Sequence, residues 1–236
     1  MKYKNRILQI SCGGGAATGK STGAKIIAKK YKLKFLSSGL LYRYASFLIL
    51  KFRPTNKLRF LKKEFKNLNY KKLERINLHK PTISEYSSII AKNNEIRKIL
   101  KKFQVNFAKK YKNCCIEGRD ISSKILPFSD LKFFFKCNLS VAAKRRFKEL
   151  KKLDSKIKFK DVKKALKIRN ILDTNRKHSP LLKHRNSVEI DTGKLNKQAM
   201  LKKMSTNVEK VLLKKYGNWR NKKYQFTSKR IPKLTW

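Results

Sequence analysis

The chain has 236 residues, with 63 Lys and Arg against 14 Asp and Glu and a formal charge of +49 at pH 7. Its hydrophobic fraction of 40 % is enough to pack one medium domain, which excludes a wholly disordered basic tail protein. The longest apolar run, Gly39 to Leu50, is interrupted by Arg43 and falls short of the roughly 18 residues that a membrane-spanning helix needs.

In chain order, five short segments read as strands: Arg6 to Cys12, Lys34 to Ser37, Asn113 to Glu117, Leu131 to Cys137 and Ser187 to Asp191. They are apolar on both sides rather than alternating, and helical patterns separate them, so the expected class is α/β with a parallel sheet covered on two faces. After the first strand, Ala24, Ile27, Ala28 and Tyr31 recur at helical spacing. Leu40 to Phe52 reads as a buried helix, and Val141 to Leu153, Asp161 to Leu172 and Asn196 to Tyr216 as further helices, the last opened by an Asn cap.

The segment 53–84 is Lys-rich, weakly periodic and bounded by Pro54 and Pro81, which suggests an insert into a core formed by 1–52 and 85–216. A polar connection at 154–160 joins two helices and is the kind of segment that moves. The tail, 217–236, holds both tryptophans, Tyr224, Phe226 and six basic residues with no acid, and reads as either a loosely packed strap or a nucleic-acid contact.

The basic start runs through a short apolar stretch into three glycines, in which no signal peptide is legible, so a cytoplasmic protein is expected. The four cysteines, at 12, 114, 115 and 137, lack metal-site spacing and nearby histidines and are expected as reduced core thiols. Lysine supplies 49 of the 63 cations, and AT-rich codons would produce that bias unaided. Such a charge attracts polyanions at low salt but names no partner.

Eight of the nine glycines follow the expected strands, where an open parallel sheet binds ligands. Among them, Gly14-Gly15-Ala16-Ala17-Thr18-Gly19-Lys20-Ser21, followed by Thr22, matches G-x-x-x-x-G-K-[ST] between a strand and a helix. Its amides and the helix N-terminus suit phosphate, Lys20 would reach the β and γ oxygens, and Ser21 would hold Mg2+. Ser38, Gly39, Tyr42 and Arg43 follow the second strand, and Glu117, Gly118, Arg119 and Asp120 the third. A guanidinium can grip a second phosphate through two parallel hydrogen bonds. Arg169, Asp173 and Arg176 are spaced so that one helix would present all three on one face; a salt-bridge ladder is the simpler account.

These stretches, together with Arg145-Arg146, Ser179-Pro180-Leu181 and Ile190-Asp191-Thr192, occur in an order that resembles bacterial cytidylate kinases over residues 6 to about 216. The resemblance implies a P-loop nucleoside monophosphate kinase fold: a five-stranded parallel sheet flanked by helices, a monophosphate-binding insert and a short lid with its tip at 154–160. It implies transfer of the ATP γ-phosphoryl group to CMP or dCMP with Mg2+. By similarity Ser38, Ser88, Arg97 and Asp120 would contact the substrate, the last three at the cytosine, with Asp173 and Arg169 at the sugar hydroxyl. Arg43, Arg119 and Arg176 would surround the CMP phosphate. Arg145 and Arg146 would lie near the transferred group beside Lys20, and Glu117 would reach Mg2+ through water. A monomer that meets nucleic acid only through its unspecific basic surface is the expectation.

Two positions depart from the family pattern. Gly13 precedes the loop and Ser37 precedes Ser38-Gly39 where the family usually has Asp, which removes two carboxylates near Mg2+. Three competing readings stay open on sequence alone: a kinase of the same fold acting on another acceptor, a basic P-loop protein binding RNA through its tail, and a retained fold with little activity.

Overall fold

The computed structural model describes residues 7–152, 154–177 and 179–217. Arg6, Leu153 and the tail from residue 218, with both tryptophans, lie outside the described residues. Five strands, β1 Gln9–Gly14, β2 Lys34–Ser37, β3 Cys114–Gly118, β4 Leu131–Lys136 and β5 Val188–Asp191, form one sheet in the order β2-β3-β1-β4-β5. Every neighbouring pair is parallel. The helices are α1 Lys20–Lys30, α2 Ser38–Phe52, α3 Lys57–Lys66, α4 Pro81–Ile90, α5 Asn94–Lys110, α6 Leu139–Lys151, α7 Phe159–Asn175 and α8 Lys197–Tyr216.

Asparagine begins four of these helices. Asn56, Asn93, Asn138 and Asn196 accept backbone N–H bonds from Arg59, Ile96, Ser140 and Ala199 at 2.9–3.0 Å, satisfying donors that the first helical turn leaves free.

The sheet is covered on both faces: β1 and β3 are buried almost throughout, whereas β4 alternates buried and more accessible residues. One face packs Leu36 and Ile116 against Leu41, Leu48, Leu61 and Leu100 of α2, α3 and α5. The other packs Ile10, Phe133 and Phe135 against Ile27 of α1 and Met204 and Val208 of α8. A Cβ on Gly23 would lie 2.5 Å from the Phe135 ring, so α1 can rest on β4 only because that position has no side chain.

Segment 53–84 contributes Leu61, Phe65, Leu73 and Leu78 to the same core as α2 and β3. Its expected end falls inside α4. The segment looks weakly periodic because lysines flank the apolar positions, yet Leu61 and Phe65 of α3 are both buried. The strands match the expected segments to within a residue except β1, which begins three residues later than expected, at Gln9, and extends two residues into the glycine run.

Helices α6 and α7 form a hairpin with Phe147 and Phe159 packed edge to face, ring centroids 5.8 Å apart. Ala142, Ala143, Val162 and Leu166 of that hairpin enclose Ala16 of the phosphate loop. All four cysteines are free thiols; Cys12 and Cys115 lie 3.8 Å apart in the core, and Cys137 is half-buried. Among the described residues no helix is long and apolar enough to cross a membrane.

Candidate active site

Parallel pairing brings β1 and β3 side by side, Cys12 opposite Glu117 and Gly13 opposite Gly118. The loop leaving β1 therefore faces the Glu117–Asp120 cluster leaving β3, at the carboxyl edge where such sheets bind ligands. Gly14 has φ +149°, and a Cβ there would fall 2.4 Å from the Phe135 carbonyl. Only glycine lets the chain turn out of the sheet at that point. Gly19 then opens α1 in a left-handed conformation, and Lys20 is the first helical residue.

A cavity of about 620 Å³ lies at this edge. All the sequence-expected site residues line it except Gly14 and Gly15. Ser38 is buried at the start of α2. Ser88 is half-buried and donates to the Ser84 carbonyl at 3.4 Å, beside the more deeply buried Ser87.

Lys20 lies 3.5 Å from Glu117 Oε2 and donates to the Gly15 carbonyl at 3.4 Å. Burial and the nearby Arg119 push its pKa down to about 8, against the pull of Glu117. Burial alone would raise the Glu117 carboxyl, but Lys20, the Ser37 hydroxyl, Arg119 and Ser21 together hold it below the ordinary carboxylate range. Its Oε1 accepts from Ser37 Oγ at 2.5 Å, while Oε2 is buried without a formed hydrogen bond. A Cβ on Gly13 would meet nothing closer than Phe134 at 3.6 Å, ordinary van der Waals contact.

The opposite wall is cationic. Arg119 Nε donates to Asp173 Oδ2 at 2.6 Å, and Arg176 Nη1 to Asp173 Oδ1 at 3.4 Å. Arg169, Asp173 and Arg176 are thus no exposed ladder. Arg176 also lies one residue beyond α7 in extended backbone, rather than on the helix face as expected, and its Nε donates to the Ser179 carbonyl. Burial, then Arg119, pushes the Arg169 guanidinium down to about 9, with Arg43 and Arg146 adding to the effect. Burial followed by like charges also lowers Arg43 and Arg176. Arg169 Nε and Arg176 Nη2 are buried and have no hydrogen-bond partner.

Arg97 and Asp120 pair at 2.5 Å in a buried corner, with the guanidinium over the Tyr42 ring, 5.7 Å from its centroid. Arg145 makes two hydrogen bonds to Thr192, at 2.8 Å to Oγ1 and 2.7 Å to the carbonyl, and Thr192 Oγ1 donates to the Thr18 carbonyl at 2.8 Å. Arg145 is thereby tied to the back of the phosphate loop. Arg146 pairs with Glu149 at 3.0 Å at the mouth.

Sequence reasoning passed over His79 and Asn170. His79 reaches the rim from the loop before α4, a position without local motif, and burial with Arg43 and Arg146 lowers its pKa. Asn170 lies within the Arg169–Arg176 run, where its i−3 relation to Asp173 could have placed it on the site side.

The Cytidylate kinase family matches residues 10–210. A Clostridium tetani protein named Cytidylate kinase is 31 % identical over 220 residues, covering 88 % of this chain and 96 % of that one. One so named from Clostridium botulinum (strain Hall) is 34 % identical over 216 residues, covering 86 % and 98 %. Among solved structures, an uncharacterized protein from Eubacterium ventriosum aligns with a TM-score of 0.50 at 14 % identity, over 86 % of this chain and 98 % of its own, a likeness that bears on fold alone.

Proposed function

The chain belongs to the cytidylate kinase family, and from that premise we infer that its cavity aligns ATP and CMP, or dCMP, for direct phosphoryl transfer. The activity is that of an ATP-dependent phosphotransferase. The observation that carries the alignment is the pair of unsatisfied guanidinium donors, Arg169 Nε and Arg176 Nη2, buried opposite a phosphate loop. Buried cationic donors without partners are costly in the protein alone and are satisfied when the phosphate and sugar oxygens of the monophosphate arrive.

In this reading residues 14–22 cradle the ATP phosphates, and Lys20 neutralises charge on the transferred group. Arg43, Arg119 and Arg176 hold the CMP phosphate, Arg169 and Asp173 meet the sugar hydroxyl, and Arg146 closes from α6. Arg145 supports the loop through Thr192 as well as lying near the triphosphate. Ser38 and Ser88 line the monophosphate side, and Arg97 and Asp120 read the cytosine edge. Cytosine presents an amino donor to the Asp120 carboxylate, where uracil would present an acceptor.

The nucleophile is a CMP phosphate oxygen, anionic near neutral pH, so no general base is required and alignment with charge neutralisation does the work. The Ser21 hydroxyl, the Glu117 carboxylate, whose Oε2 faces Lys20 without a formed hydrogen bond, and phosphate oxygens are the hard oxygen donors that Mg2+ prefers. When bound, Mg2+ would supply charge neutralisation to the transferring phosphoryl group. Closure of the α6–α7 hairpin would exclude water and suppress ATP hydrolysis.

We place the enzyme in the cytoplasm as a monomer. The match over residues 10–210 does not favour the RNA-binding reading or another acceptor. A coupled assay of ADP release with CMP, dCMP, UMP and AMP tests the assignment; faster turnover of UMP or AMP than of CMP rejects it.

A further inference from the structure

Helix α7 touches both halves of the site. Asn170 Oδ1 accepts a 3.4 Å hydrogen bond from the backbone N–H of Ala16 in the phosphate loop. The same carboxamide oxygen lies 3.3 Å from where a Cβ on Gly15 would be, so it rests against the loop itself. The Ala16 methyl is held independently among Ala142, Ala143, Val162 and Leu166. Residue 16 is therefore gripped by the α6–α7 hairpin through both its backbone and its side chain.

Less than one turn further along α7, Asp173 joins Arg119 of the β3 loop to Arg176. Residues three apart share a helix face, and a helical turn advances only about 5.4 Å. The triphosphate loop and the ion cluster proposed to hold the monophosphate are thus bridged by one short, rigid segment.

We propose that Asn170 is a positioning residue that couples the two nucleotide subsites, its carboxamide fixing helix α7 to the phosphate loop so that a triphosphate seated on the loop sets the Arg119–Asp173–Arg176 cluster for the monophosphate. The proposal rests on the kinase reading above. Because binding linkage is reciprocal, CMP must tighten the triphosphate by the same factor.

The test is the dissociation constant of CMP with and without a saturating non-hydrolysable ATP analogue and Mg2+, measured by calorimetry for wild type, N170A and N170D. Wild type is expected to bind CMP roughly 5-fold or more tightly with the analogue present. In N170A that ratio falls toward one while CMP alone binds nearly as in wild type. N170D, isosteric and still an acceptor, restores it. A merely structural prop would change both single-ligand affinities and leave the ratio intact.

Three results overturn the proposal: a wild-type ratio near one, a ratio that survives in N170A, or N170D behaving as N170A does. If circular dichroism shows N170A to be misfolded, N170S, whose shorter side chain withdraws the acceptor, gives the same reading. ADP release from ATP and CMP by wild type is measured in parallel. Its absence rejects the kinase reading, whereas turnover with unchanged coupling in N170A rejects only the role of Asn170.

Discussion

Ser37 donates a 2.5 Å hydrogen bond to Glu117 Oε1 while its own oxygen accepts from the Leu40 N–H at 3.3 Å, capping α2. One hydroxyl thus fixes the carboxylate that faces Lys20 and the helix that carries Arg43. A neutral group thus orients the acid that faces Lys20. Ser37→Ala is expected to cost about 2 kcal/mol, combining a lost cap with a lost hydrogen bond to a charged group. It should also raise the Mg2+ concentration needed for half-maximal rate, because Glu117 would be free to turn. Denaturant melts and a Mg2+ titration check this; a variant with wild-type Mg2+ dependence would show that Glu117 needs no such restraint.

Lys20 is expected to make the reaction sensitive to alkaline pH. With its pKa pushed down to about 8 by burial and Arg119, the free enzyme loses this cation as pH rises through that value. The acid-side form binds phosphate, so kcat/KM for ATP should fall above about pH 8. In the complex the phosphate oxygens favour the ammonium, so the corresponding limb of kcat lies at higher pH. Lys20→Ala should abolish transfer and leave the far-ultraviolet spectrum unchanged. Parallel pH profiles of kcat and kcat/KM decide the matter: coincident limbs would mean that another group controls them.

Much of this was legible in the chain because short-range chemistry dictates it. The glycine run marks where β1 leaves the sheet, and Phe135 packs so closely on Gly14 and Gly23 that neither accepts a side chain. The sheet showed itself as apolar runs, since both faces are covered. What sequence could not show was pairing across distance. Arg119 and Asp173 are 54 residues apart and meet at 2.6 Å, and Arg97 meets Asp120 only because α5 packs against the turn after β3. Arg176 read as helical because its spacing fits a helix, but its own extended backbone, with ψ 138°, takes the chain out of that path. Helix α3 within segment 53–84 was hidden by lysines that flank rather than interrupt its buried stripe.

The crowded cations make anionic ligands stabilising. Lys20, Arg43, Arg169 and Arg176 are all lowered chiefly by burial, and two of the guanidiniums keep unpaired donors. CMP at a hundred times its dissociation constant should add about 2.7 kcal/mol, which for a domain of this size is a rise in Tm of roughly 5–10 °C. Cytidine, lacking the phosphate, should give little. Differential scanning calorimetry compares the two, and equal shifts at equal concentration would mean that the guanidiniums do not hold the phosphate.

Base choice is proposed to depend on a buried pair. Asp120 and Arg97 are each about 7 % exposed, and the carboxylate is the acceptor that an exocyclic amino group needs. Asp120→Asn keeps the shape but can turn an NH2 group toward the base, offering a donor to uracil O4. It also leaves Arg97 without a counter-ion, which for a buried pair costs about 3 kcal/mol of stability. That loss affects all substrates alike, whereas the ratio of kcat/KM for CMP to that for UMP isolates recognition of the base. A site built to hydrogen-bond one substrate edge rejects a mismatched one by factors up to about 10⁴, so the ratio should fall at least tenfold in the variant. If it is unchanged while the melting temperature falls, Asp120 serves to pair Arg97 and the cytosine edge is read elsewhere in the cavity.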